Sequence, residues 1–143
     1  MVELMKRKSV DLLVEQFWKQ GYLTLSRKFG TYLPEPTKIG NFDIDIIAKY
    51  KKNYAIGIIL TSDDFAKSDL IDKINFLATR HTKFSNKKVT LFVGVPAEYF
   101  KNAKALLEML NPEIKKNVKL VEIIDRESGL LPKESNKSRV LFS

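Results

Sequence analysis

The sequence predicts an α/β protein built on a mixed β-sheet flanked by helices, and three observations carry that prediction. Two apolar, β-branched runs, Phe42 to Ala48 and Tyr54 to Leu60, are separated by the polar Lys51-Lys52-Asn53, which signals an antiparallel hairpin. Val89 to Val95 is nearly continuous in apolar residues, the character of a central strand buried on both faces. Around these runs, apolar residues recur at helical spacing, so helices alternate with strands and can cover the sheet.

The first element is a helix over about Val2 to Gln20. Val10, Leu13, Val14, Phe17 and Trp18 repeat at helical spacing, and Gly21 stops it. Tyr22 to Lys28 alternates Leu23 and Leu25 with Thr24 and Ser26, which predicts a strand ending near Gly30. A loop containing Leu33-Pro34-Glu35-Pro36 leads to the hairpin. Ser62-Asp63-Asp64 places acids at the positive end of a helix expected to run to about Lys83, with Leu70, Ile71, Ile74, Leu77 and Ala78 as its apolar stripe. Lys73, Arg80 and Lys83 fall on its exposed flank. After the Val89–Val95 strand, Pro96 interrupts, and Tyr99 to Leu110 reads as a helix closed by Asn111-Pro112. Val118 to Ile124 supplies the last strand. The order is helix, strand, strand, strand, helix, strand, helix, strand.

A chain of 143 residues suits one compact domain, placed at residues 1–125, followed by a polar C-terminal tail, 126–143, in which Val140-Leu141-Phe142 can dock as a short strand. No apolar run approaches the roughly 20 residues of a membrane helix, and no secretory signal is visible. A cytoplasmic protein with no membrane partner is expected. The absence of cysteine excludes disulfides, zinc-thiolate sites and thiol nucleophiles, and a single histidine, His81, leaves little scope for imidazole ligation or a catalytic triad. A formal charge of +8 makes polyanions the first partners to consider, since each phosphate neutralised by Lys or Arg releases a counterion. A lysine-rich composition unrelated to any ligand gives the same balance.

The most informative stretch is Phe42-Asp43-Ile44-Asp45-Ile46-Ile47-Ala48, where acids alternate with isoleucines so that Asp43 and Asp45 share a face. With the second run, Tyr54-Ala55-Ile56-Gly57-Ile58-Ile59-Leu60, it resembles the PD-(D/E)xK nuclease superfamily, especially archaeal Holliday-junction resolvases and related restriction-endonuclease-like proteins. In those, an aspartate opens an Asp-Ile-Ile-Ala type strand and a Glu-x-Lys follows on the partner strand. Asp45-Ile46-Ile47-Ala48 matches the first half. The Glu position falls on Gly57 and the Lys position on Ile59, so the second half of the motif is degenerate. The resemblance spans about residues 9 to 125 and implies a restriction-endonuclease-like mixed sheet. It implies Mg2+ or Mn2+ if the chain is active, and no cofactor if it is not. Metal-assisted hydrolysis needs clustered oxygen ligands and a group that activates water, which Asp45 does not supply alone.

Asp45 is therefore the catalytic and metal candidate, with Asp43 as a second ligand. The other reading is an acid hydrogen-bonded in a polar cleft. Resolvase-like relatives also use an acid from the first helix, where this chain offers Glu3, Asp11 and Glu15. Replacement partners can come from Asp63 or Asp64, with Lys49 or Lys67 substituting for the lost lysine; helix capping also explains the two acids. Nucleic-acid-binding candidates are Arg27 and Lys28 at the first strand's end, Lys49, Lys51 and Lys52 in the hairpin turn, and Arg80, Lys83, Lys87 and Lys88 further on. Phe29, Tyr32 and Tyr50 can stack on bases, although Phe29 also fits the core. The segment Gly21 to Gly30 further resembles part of the transfer-RNA splicing endonuclease fold, whose structural subunits lack the catalytic residues.

The expected function is a catalytically degenerate nuclease-like protein that binds nucleic acid, DNA first among them, or serves as a structural subunit of a nucleic-acid-processing complex. One alternative is a divergent metal-dependent nuclease built on Asp45 with migrated partners. Another is a protein-interaction module without nucleic-acid binding; a homodimer or a protein-complex partner is the partner expected besides nucleic acid. The reversal that the motif suggests is the double substitution Gly57→Glu with Ile59→Lys.

Overall fold

The structure, a computed structural model, describes residues 2–82 and 87–124, with side chains from Lys6 onward. Along the chain lie α1 (Val2–Lys19), β1 (Leu23–Arg27), β2 (Ile46–Tyr50), β3 (Asn53–Ile59), α2 (Ser62–Ala66), α3 (Leu70–Ala78) and β4 (Thr90–Pro96). A 3-10 turn (Ala97–Tyr99), α4 (Phe100–Leu107), α5 (Pro112–Lys115) and β5 (Val118–Ile123) complete it. The strands form one five-stranded sheet in sequence order. β1, β2 and β3 pair antiparallel, then β4 and β5 join parallel to β3, giving the mixed sheet that the element order predicts. Lys83 and the tail from residue 126, with Val140-Leu141-Phe142, lie outside the described residues, as does the side chain of Glu3.

Two apolar layers hold the sheet. On one face, Val10, Leu13 and Phe17 of α1 pack on Ile46, Ala48, Ala55, Ile59, Phe92 and Ile123. On the other, Leu70, Ile74 and Leu77 of α3 and Ala103 and Leu107 of α4 cover Ile56, Ile58, Leu91, Val93 and Val95. Successive residues of β3 and β4 thus serve opposite layers, which is why both strands read as continuous apolar runs.

Four expectations are corrected. Trp18 is 73% exposed, because the buried stripe of α1 follows Val10, Leu13 and Phe17 and leaves Trp18 on its outer side. Leu23 and Leu25 of β1 are also exposed while Ser26 is buried: β1 is an edge strand, and its register shifts between Thr24 and Ser26. The expected long helix from Ser62 is two helices, broken where Lys67 turns extended, with Asp69 at the N-terminal boundary of α3. Finally, Asp43 to Asp45 precede the ladder of β2, so strand alternation does not govern them. Ile44, Asp45 and Ile46 are all buried in succession, and Asp43 is exposed.

Candidate functional site

The carboxyl ends of the parallel strands lie together at one end of the sheet. Here β3, β4 and β5 end at Ile59, Pro96 and Ile123, beside the start of β2 and the end of β1. Asp45 sits at that edge, 3% exposed. Its N–H donates to Gly57 O (3.0 Å) and its carbonyl accepts from Lys28 N–H (2.9 Å). The Ile59 N–H donates to Asp45 Oδ2 at 2.8 Å, so the carboxylate satisfies a buried backbone donor at the end of the hairpin. Oδ1 is buried and accepts no well-directed hydrogen bond from a described residue. Two ammonium groups answer its charge instead: Lys6 Nζ of α1 at 3.3 Å and Lys28 Nζ at 3.9 Å.

Gly57 and Ile59, where the resemblance expects a glutamate and a lysine, lie in the core. A Cβ on Gly57 would stand 2.8 Å from Phe17 Cε2 and 3.2 Å from Leu13 Cδ2, so α1 occupies the space that a glutamate would need. Ile59 is buried in the same layer. The Gly57→Glu and Ile59→Lys reversal is therefore a core insertion rather than a restored site. Nor do the local acids suit a hard divalent cation, which wants several converging oxygens. Among the described residues no group of three or more acids or histidines is arranged to hold one. A cation at Asp45 Oδ1 would also meet two ammonium groups.

Lys73, from the first turn of α3, is a further lysine within the field of Asp45. Burial pushes its amine below the ordinary 10.5; Asp64 and Asp45 act against that, Lys6 adds to it, and Asp43 opposes it. The expected exposed flank is thus half-buried at Lys73. Asp64 itself is occupied: Oδ2 accepts from Thr61 N (2.7 Å) and Thr61 Oγ1 (3.0 Å), and Oδ1 pairs with Lys67 at 3.9 Å. Asp63 is exposed in the same short helix.

Beside Asp45 an open groove of about 400 Å3 runs between α1 and the loop after β1, lined by Arg7 and Asp11 on one side and Arg27, Phe29, Tyr32 and Leu33 on the other. Arg27 is ion-paired with Asp11 and donates from Nε to Lys28 O (3.1 Å). The Arg7 guanidinium lies over the Phe29 ring, 5.1 Å from its centre. Phe29 adopts φ 61°, a left-handed conformation that turns the chain sharply after β1.

The remaining basic candidates among the described residues are not at this edge. Lys49, Lys51 and Lys52 sit at the hairpin end of β2, on the order of 15 Å away at the ~3.3 Å rise per strand residue. Lys49 lies over Tyr54 and Lys51 over Tyr50. Arg80 stacks on Phe76 at 3.8 Å and donates to its carbonyl, and Lys87 and Lys88 precede β4, which starts at that same far end. His81 is exposed there and bridges to Lys88. Glu15 pairs with Lys19, one turn along its own helix, at 3.9 Å. So the cations expected to rim one cleft divide between opposite ends of the sheet, because the hairpin turn and the Asp45 edge are the two ends of the same strand.

Sequence reasoning missed Lys6, Arg7 and Lys73. The signal was present for two of them. Lys6 stands four residues before Val10 on the buried stripe of α1, and Lys73 lies three after Leu70 and four before Leu77 on that of α3. A lysine on a buried stripe needs an acid to meet it. Searches of protein-family models, of curated proteins and of solved structures give no match to this chain.

Proposed function

We propose that this protein binds nucleic acid without cutting it, through the basic edge formed by Lys6, Arg7, Arg27 and Lys28. One observation carries the reading: Lys6 and Lys28 occupy the surroundings of the Asp45 carboxylate, where a nuclease would gather metal ligands, while Gly57 and Ile59 are packed beneath α1. Asp45 then positions two cations at the sheet edge and ties down the hairpin. The net charge of +8 supplies long-range attraction for phosphates.

The test measures binding and cleavage on one panel: labelled duplex, junction and single-stranded DNA and RNA, with EDTA, Mg2+ or Mn2+. Salt-sensitive binding without cleavage is expected. A second reading, a divergent metal-dependent nuclease, keeps the buried Asp45 carboxylate as its acid, with one oxygen that accepts no hydrogen bond from a described residue. Metal-dependent cutting abolished by Asp45→Ala, in a variant that still folds, would establish that reading and sink the first.

A further inference from the structure

The groove between α1 and the loop after β1 is a concave feature that combines charged and aromatic surface, and Arg7 and Arg27 in its lining adjoin Lys6 and Lys28, the partners of Asp45. We propose that it holds one nucleotide of a single-stranded nucleic acid, its base stacked on Tyr32 and its phosphate on the Arg7 guanidinium. The inference rests on the nucleic-acid reading above and adds to it the strand form and the contact residues.

Tyr32 is 95% exposed, so its ring contributes almost nothing to the core. Its loop is nevertheless built firmly. The Arg27 N–H donates to Pro34 O at 2.9 Å, closing the loop at its base. Gly30 packs so tightly that a Cβ there would stand 3.1 Å from both Arg27 Cγ and Leu33 O. An aromatic ring open to solvent on a loop tied at its base is accessible to a flat partner.

The two arginines have different duties. Arg27 is engaged by Asp11 and by the Lys28 carbonyl, which fixes it as the groove's wall. Arg7 is exposed, makes no ion pair with a described residue, and rests over Phe29, leaving its donors for a phosphate. Arg7 and Asp11 stand four apart on α1 and so line the groove together. A volume of about 400 Å3 lies toward the low end of the range for small-ligand sites, the scale of a single nucleotide.

Strand form follows from the ring. In a duplex the faces of the bases are hidden in the stack, and an aromatic side chain reaches one there at the cost of unstacking a base step, a few kcal/mol that an unpaired strand does not demand. Stacking is tolerant of base identity, so little sequence preference accompanies it.

The experiment is fluorescence anisotropy with a labelled oligonucleotide as DNA or RNA, single-stranded or annealed to its complement, across a salt series. Single strands should bind at least tenfold more tightly than the duplex. Tyr32→Ala should weaken single-strand binding about tenfold, the size of one base stack, without changing the salt slope. Arg7→Ala should lower that slope by about 0.7, one phosphate contact. Met109→Ala, a 71% exposed apolar side chain just after α4, on the other side of the sheet from α1, is the control and should bind as the parent does. Equal affinity for duplex and single strand, or a Tyr32→Ala variant within twofold of the parent, overturns the groove assignment and leaves the broader binding reading standing. Failure to bind any nucleic acid overturns both.

Discussion

At the scale of single residues, Asp45 and Gly57 decide what the hairpin can do. An acid inside an apolar strand is legible in sequence as a residue that must find a partner. Which partner it finds is not legible, because Lys6 reaches it only after α1 has docked on the sheet. Asp45→Ala removes the acceptor for the buried Ile59 N–H, a loss of about 1–3 kcal/mol. Lys6 and Lys28 add little to that, since their side chains are 26% and 25% exposed and can turn to water. Asp45→Asn keeps an oxygen for the Ile59 N–H and should cost about 1 kcal/mol less than the alanine variant in urea unfolding. Equal losses for the two variants would mean that the hydrogen bond is not what Asp45 contributes. In the sequence Gly57 was legible only as the place where the nuclease resemblance expects a glutamate, and in the structure Phe17 and Leu13 leave no room there for a side chain. Gly57→Ala should destabilise by about 1–3 kcal/mol through overpacking, and Gly57→Glu by more. A Gly57→Ala variant with an unchanged urea midpoint would refute this packing of α1.

At the scale of elements, the helices and strands were legible where one face is buried and the period is regular. β3 and β4 read correctly because each is covered on both sides. β1 did not, because an edge strand with a register shift escapes the rule that apolar residues point inward. The break between α2 and α3 hinged on Lys67-Ser68-Asp69, whose capping character competes with a continuous apolar pattern. That break brings Lys73, in the first turn of α3, within the field of Asp45. Burial lowers its folded-state pKa below 10.5, so the unfolded chain binds more protons between the two values. The cost of burying the charged amine is therefore present in full below the folded pKa and is relieved as pH rises toward 10.5. Relative to Lys73→Met, the parent protein should gain stability with pH across that window, read as the difference between their urea midpoints. A difference that stays constant with pH would show that Lys73 ionises as freely folded as unfolded.

At the scale of the whole molecule, the charge of +8 was legible and its distribution was not, since the two ends of a sheet cannot be told apart until strand pairing is known. Pairing places Lys51 and Lys52 at one end and Arg7 and Lys28 at the other. If overall charge alone attracts nucleic acid, removing any two cations should matter equally. A localised interface predicts otherwise. The double variants Arg7→Ala with Lys28→Ala and Lys51→Ala with Lys52→Ala each lower the net charge by two, so long-range attraction falls alike in both. Only the first pair should remove phosphate contacts, reducing the slope of log affinity against log salt by about 1.4 on a single-stranded oligonucleotide. The second pair should shift affinity slightly and leave the slope as it is. Matching slopes for the two variants would place phosphate contact at neither end in particular. A larger drop for the hairpin pair would move the interface to the turn, where Lys51 now lies against Tyr50.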